Sequence, residues 1–168
     1  MKTLHFILFF TLPFYYILDF QHNKKSPEII ENHLVILKFC KTSKFLNVND
    51  KTTSKKIELI FGKPMSILKE SASEESDGDS EPWTNITYSG LKIELTGNFI
   101  TDITINNSDW KLNDITVGMD IKEVYKKYKK INRKFKNYII FKIPNFDGVL
   151  FIQIDKKNNI KKIGISNP

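Results

Sequence analysis

Apolar residues recur along this chain at two spacings, one typical of helices and one typical of strands. In the stretch WKLNDITVGMDIKEVYKKY they fall at i, i+3, i+4 and i+7 between Ile121 and Tyr128, as on one face of a helix. Asp120 stands at the N-cap position, and Glu123, three residues on, completes a capping box. The sequence therefore predicts a capped amphipathic helix here, preceded by a strand and a turn.

A fainter copy of this order begins near Phe45. Thr53 is placed to cap a helix, and Gly62 followed by Pro64 is a typical helix end. The apolar stripe between cap and stop is Ile57, Ile60 and Phe61. A second, shorter helix is therefore predicted.

Alternation of apolar and polar residues predicts three strands after each helix. The first set covers residues 83–89, 91–95 and 100–105, and the second covers residues 137–143, 149–154 and 160–165. Thr53 matches Asp120 at an offset of 67, whereas the second and third strands of each set match at offsets of 59 to 60. Chance similarity of two helix-and-hairpin units is the alternative to an internal duplication.

These patterns predict an α+β fold in which helices pack on one face of an antiparallel sheet, built from two tandem helix-plus-three-strand repeats. The predicted organisation is a leader over 1–23, a linker with a short lead-in element over 24–44, a first repeat over 45–109 with an acidic loop at 70–82, and a second repeat over 110–168.

One family resembles this order of elements. Phe61-Gly62-Lys63-Pro64 ends a helix before a meander, and Val117-Gly118-Met119 opens the second helix. In this respect residues 45–166 resemble the β-lactamase-inhibitor-protein-like fold, which includes small exported modules of the SmpA/OmlA type. The resemblance implies a role in gripping other proteins and names no particular target.

The N-terminus reads as an export signal. Lys2 precedes an almost unbroken apolar run over residues 4–18, which is short for a membrane span. We therefore expect export to the periplasm, the cell envelope or the medium. Because no small-x-small cleavage site follows, an uncleaved N-terminal membrane anchor is the alternative.

Charge is distributed unevenly along a chain of formal net charge +7. Residues 70–81 hold six acids and no base, which predicts a solvated loop; the alternating acids Asp77, Asp79 and Glu81 fit a calcium loop poorly. The segment YKKYKKINRKFKNY over residues 125–138 has seven positive charges.

We interpret this basic segment as the continuation of the second helix. Its apolar stripe, ending with Tyr128, Ile131 and Phe135, would face the core, and its lysines would face water. The alternative is binding to anionic membranes or polyanions. The residues that would make this contact are Lys126, Lys127, Lys129, Lys130, Arg133 and Lys134. Because Arg133 is the single arginine and export is expected, we do not expect nucleic acid as a partner.

Residues for catalysis or metal binding are scarce. Cys40 is the single cysteine, and His33 is the one histidine outside the leader region that could pair with it. Two carboxylate pairs could meet across strands, Glu94 with Asp102 and Asp147 with Asp155. We predict no catalytic residues, no metal site and no cofactor.

The function predicted from the sequence is that of a protein-binding module, inhibitor-like or immunity-like, with an unknown protein partner. Its exposed sheet face and adjoining loops would form the contact surface. The candidate anchors are Trp83, Trp110 and Phe146, because aromatic residues dominate interface hot spots. Trp83 and Trp110 could equally be core residues.

Overall fold

Twelve strands and two short helices make up the part of the chain that the computed structural model describes, residues 35–70, 82–135 and 137–167. The fold is mostly β, with less helix than the sequence predicts. In chain order the elements are β1 (Ile36–Phe39), β2 (Phe45–Asn47), α1 (Ser54–Phe61), β3 (Ser66–Glu70), β4 (Trp83–Tyr88), β5 (Leu91–Thr96), β6 (Phe99–Ile105), β7 (Trp110–Leu112), β8 (Ile115–Thr116), α2 (Ile121–Tyr125), β9 (Lys129–Phe135), β10 (Tyr138–Lys142), β11 (Val149–Ile154) and β12 (Ile160–Ser166).

Both helices begin at the predicted caps. The Thr53 side chain accepts a hydrogen bond from the Lys56 N–H, and Asp120 accepts one from Lys122. Gly62 ends α1 at a positive φ of 90°, where a residue without a Cβ is least strained. The Glu123 carboxylate is 2.7 Å from the Lys126 ammonium.

The strands form two antiparallel sheets. The smaller sheet has the order β2-β1-β7-β8, and the larger one has the order β3-β4-β5-β6-β12-β11-β10-β9. Both strand orders are symmetric about their centres. In the smaller sheet β7 and β8 mirror β1 and β2, and in the larger sheet β9 to β12 mirror β3 to β6. The second half of the chain therefore retraces the sheet positions of the first.

The central pair of the larger sheet makes this symmetry exact in register. Thr104 lies opposite Gly164, with Ile103 opposite Ile165 and Ile105 opposite Ile163. These are positions related by an offset of 60. The strand pairs on either side, β5–β6 and β11–β12, match as well. The first ladder has an irregularity after Glu94 and the second has one after Gln153, and these two residues are related by an offset of 59.

One apolar core joins both sheets and both helices. Ile57 of α1 and Val124 of α2 are buried in the same cluster as the inward-facing isoleucines of β5, β6 and β12. An aromatic group formed by Phe39, Phe61, Tyr88 and Trp110 fills the core next to the smaller sheet, with ring centroids 4.6 to 6.3 Å apart. The inner face of the larger sheet is thus covered over its central strands.

The predicted continuation of the second helix is wrong. Helix α2 ends at Tyr125, and residues 129–135 form β9, the edge strand that pairs with β10. Ile131 lies opposite Ile140, so pairing along the free edge of β10 outweighs a helical spacing of apolar residues. With β3 also present, each helix is followed by four strands of the larger sheet and not by the three that were predicted.

Several predictions concern residues outside the described ranges. These are the leader over 1–23, the anchor, His33, and most of the acidic loop with its candidate calcium ligands. Within the described ranges, neither helix has the length and apolar character needed to cross a membrane.

Candidate functional site

The outer face of the larger sheet, which points away from the core, differs between its two halves. Because paired residues share a face and neighbours along a strand alternate, register gives the members of each row across this face. One such row is Ile140, Phe151, Gly164, Thr104, Lys92 and Thr87. Its half on β10 to β12 carries no charged or polar side chain, whereas its half on β6 to β4 is polar.

A cleft of about 420 Å³ opens over the apolar half. Its walls and floor come from Tyr138, Ile140, Val149 and Phe151, on the adjacent strands β10 and β11. All four side chains are half-buried, so each presents part of its surface at the cleft. A cavity of this size and composition falls in the range typical of ligand sites.

Phe151 is the central residue of the cleft. Its ring lies over the neighbouring Gly164, where a Cβ would come within 2.0 Å of the ring Cζ. Tyr138 packs edge-on against it, with ring centroids 5.4 Å apart and an interplanar angle of 80°. The missing side chain at Gly164 therefore lets the Phe151 ring lie flat and form a floor.

Polar groups stand at both ends of the cleft. Asp102 and Ser166, directly opposite each other on β6 and β12, mark one end, and Lys162 stands further along β12. Ser166 stands four positions after Lys162 on this extended strand, which is a backbone distance of roughly 13 Å. The cleft thus runs along the strands from a carboxylate to an ammonium group.

Asp102 also borders a second, smaller cavity of about 210 Å³ on the polar half of the face. Glu94, Lys92 and Thr104 complete its lining. Glu94 lies directly opposite Asp102, as the sequence allowed, and its carboxylate is 3.9 Å from the Lys92 ammonium. The two carboxylates and one ammonium that line this cavity leave one negative charge without a counterpart in its lining.

Burial raises the pKa of Asp102 above its usual value, and the charge of Glu94 adds to this effect. A hydrogen bond with Ser166 and the charge of Lys92 act in the opposite direction and do not fully offset it. The ionised carboxylate of Asp102 is therefore held in a place where a further positive charge would stabilise it. Nearby Asn85, opposite Glu94, keeps its buried Oδ1 without a hydrogen-bond donor among the described residues.

Two of the predicted anchors lie in the core. Trp110 is 3% exposed, packs against Phe39 and Phe61, and donates a hydrogen bond from Nε1 to the Ser89 carbonyl at 2.8 Å. Phe146 is 5% exposed. Neither side chain is available to a partner in this fold, because both are buried in the apolar core.

Trp83, the third predicted anchor, is half-buried and shares the outer face with Asn85. It lies on β4, opposite Thr96 of β5 and Glu70 of β3. Three strands, β5, β6 and β12, separate β4 from β11, which carries Phe151.

The basic residues fall into two groups. Lys126 and Lys127, at the end of α2, make ion pairs with Glu123 at 2.7 Å and with Asp114 at 2.9 Å. The others, Lys129, Lys130, Arg133 and Lys134, lie along the edge strand β9, where Lys129 and Lys130 are exposed.

The described residues bring together few groups suited to catalysis or metal binding. Within residues 35–70, 82–135 and 137–167, no cluster of three His, Cys, Asp or Glu side chains could hold a metal ion. Cys40 is exposed. Asp147 and Asp155 lie beyond opposite ends of β11, so they do not form a pair.

Sequence reasoning missed the cleft residues Tyr138, Ile140, Val149 and Phe151. A signal for them was present, because YIIFK in β10 and VLFIQI in β11 are apolar at nearly every position, whereas LKIELT in β5 alternates. A strand with apolar residues on both faces is expected to be covered on both faces. Here only one of the two is covered by the core.

Comparison of this chain with protein-family models, curated proteins and solved structures finds no match.

Proposed function

We propose that this protein is an exported, non-catalytic protein-binding module of inhibitor-like or immunity-like kind, and that the cleft on β10 to β12 is its contact site. The observation that carries the proposal is the difference between the two halves of one sheet face. Phe151 occupies in the second half the sheet position that Lys92 occupies in the first. The first half thus shows that this sheet tolerates a polar outer face. The apolar residues of the second half are therefore not required by the sheet, and they are typical of a surface that binds a partner.

We also propose that the chain arose from two copies of one unit, each with a strand pair, a helix and a four-strand meander. Support comes from the mirrored strand order, the offset of 60 across the central strands and the matching ladder irregularities. In this proposal the first unit begins at β1 and not at residue 45. The resemblance to β-lactamase-inhibitor-protein-like modules is part of the same proposal.

Site-specific photocrosslinking in the organism that makes the protein tests the contact site. A benzophenone side chain replaces Tyr138 in the cleft or, as control, Thr87 on the polar half of the same face. We expect a discrete protein adduct from position 138 that is absent from position 87 and lost in Phe151→Ala. Equal adducts from both positions, or none from 138, contradict the proposal.

A second candidate function is binding to anionic membrane surfaces through the basic edge. Lys129 lies opposite Lys142 at the β9 end of the larger sheet, and Lys130 is exposed beside them, so positive charge is concentrated there. Retention on vesicles containing anionic lipid would fall with added salt and with Lys129→Glu and Lys130→Glu combined. Vesicle binding that does not change in this double variant excludes the basic edge as the site.

A further inference from the structure

Asp102 belongs to both cavities of the outer face, and this shared wall joins an apolar compartment to an acidic one. The larger cavity offers the Phe151 ring and the side chains of Ile140 and Val149, while the smaller adds Glu94 opposite Asp102. A ligand that filled both would need an apolar body and a hydrogen-bond-donating positive group next to it.

From this arrangement we infer that the cleft takes a lysine or arginine side chain of a partner protein together with an adjacent apolar side chain, the cationic group at Asp102 and Glu94 and the apolar group on Phe151. The inference rests on the proposed protein-binding function and names the chemistry of the segment bound. The ammonium or guanidinium group donates hydrogen bonds to the carboxylates. Hydrogen bonds between charged groups are stronger than those between neutral groups.

Charge decides in favour of a cation over a neutral or anionic group. The acidic compartment already holds two carboxylates against the single ammonium of Lys92, whose nearest approach to Glu94 is 3.9 Å. An added cation would balance the remaining charge and stabilise the half-buried Asp102 carboxylate. An added carboxylate would meet two like charges in a partly desolvated site.

Lys162 gives the site a direction. Lys162 lines the larger cavity, and its backbone lies roughly 13 Å from that of Ser166 along β12. A second positive charge is disfavoured there, so the cationic residue of the partner lies at the Asp102 end and the apolar residue extends toward Tyr138. An apolar segment with charge at one end only therefore fits better than a basic cluster.

The test uses the purified full chain and two tripeptides that differ at one residue, charged in the first and neutral in the second, N-acetyl-Lys-Ile-Phe-amide and N-acetyl-Gln-Ile-Phe-amide. Their affinities are measured by NMR titration of the methyl signals of Ile140 and Val149. We expect the lysine peptide to bind about fivefold tighter, which is the scale of one partly exposed ion pair. Asp102→Asn should remove this difference, and Phe151→Ala should weaken both peptides.

Asp50→Asn serves as the charge-matched control, because Asp50 is exposed on the turn before α1, outside both cavities. The peptide preference should survive in this variant. Equal binding of the two peptides, a preference that persists in Asp102→Asn, or binding of neither peptide overturns the inference. A crosslink from position 138 that persists in any of these cases leaves the proposed function standing, so the two failures can be told apart.

Discussion

Thr104 and Gly164 lie directly opposite each other on the central strands of the larger sheet, yet only one of the two positions has room for a side chain. At residue 164 a Cβ would lie 2.0 Å from the Phe151 Cζ and 2.7 Å from the Ile103 carbonyl oxygen. The cleft floor therefore depends on a glycine that no turn requires.

Gly164→Ala is expected to lower the free energy of unfolding by about 1–3 kcal/mol, the usual cost of adding a methyl group to a filled site. The phenyl ring can move aside, but the Ile103 carbonyl belongs to the strand backbone and cannot do so without disturbing the ladder. Urea unfolding measures the change, with Thr104→Ala as the control at the symmetric position. An alanine at 164 as stable as the wild type would show that the ring does not lie over this residue.

Asp102→Asn is expected to keep or raise stability at pH 7. Because burial and Glu94 raise the pKa of Asp102 in the folded state, that state binds a proton more strongly than the unfolded chain does. The wild type therefore gains stability as pH falls from the folded pKa toward the unfolded value near 3.8, and the advantage of asparagine disappears in acid. Lys92 and Ser166 act against this effect and reduce its size.

Thermal unfolding of both proteins from pH 7 to pH 3 measures this difference. Asp114→Asn is the opposite control, because the ion pair with Lys127 lowers the pKa of Asp114, so its removal should cost stability at neutral pH and less in acid. If the stability of both variants relative to the wild type changes in the same direction with pH, the environment assigned to Asp102 is wrong. A residue whose replacement stabilises the fold and removes the preference for the cationic peptide is one kept for function.

Trp110→Ala is expected to destabilise the protein by about 3–5 kcal/mol, as for other buried aromatic residues truncated in a core. The lost contacts are those with Phe39, Phe61 and Tyr88, together with the hydrogen bond to Ser89. Trp83→Ala, at a half-buried position of the outer face, should cost about 1 kcal/mol. Chemical denaturation of the two variants measures the contrast, and similar losses would place both rings in equivalent surroundings.

Replacing Lys129 and Lys130 together by valine is expected to cause self-association. Both lysines are exposed on β9, an edge strand of the larger sheet, where charge opposes pairing with another chain. Light scattering as a function of concentration measures the effect. Lys156→Val in the exposed turn between β11 and β12 is the control and should remain unassociated, and a β9 variant that behaves likewise would show that these lysines do not protect the edge.

The sequence predicts the strands that alternate and the helix ends that carry caps. Thr53, Asp120 and Gly62 act through hydrogen bonds and backbone angles within a few residues, so local sequence is sufficient for them. By contrast, β9 has helical spacing and becomes a strand only because β10 offers a free edge. The partner is the next strand of the chain, since Phe135 lies opposite Tyr138, but the apolar spacing within residues 129–135 alone does not contain this pairing.

The candidate site was less predictable than the fold, for a related reason. Glu94 and Asp102 could be paired from the sequence because a short hairpin joins their strands. Asp102 and Ser166 are neighbours only because β6 and β12 meet at the centre of the sheet. Trp110 looked like an anchor by residue type alone, and its burial depends on Phe39 and Phe61, which come from distant parts of the chain.

The mirrored strand order has a genetic consequence. Two identical subunits meeting edge to edge through β6 could build the same eight-stranded sheet, but every substitution would then appear twice, once on each side. A phenylalanine that formed an apolar floor on one side would replace the lysine on the other. With both halves in one reading frame, Phe151 and Lys92 can be selected separately, and a symmetric framework can carry a one-sided surface.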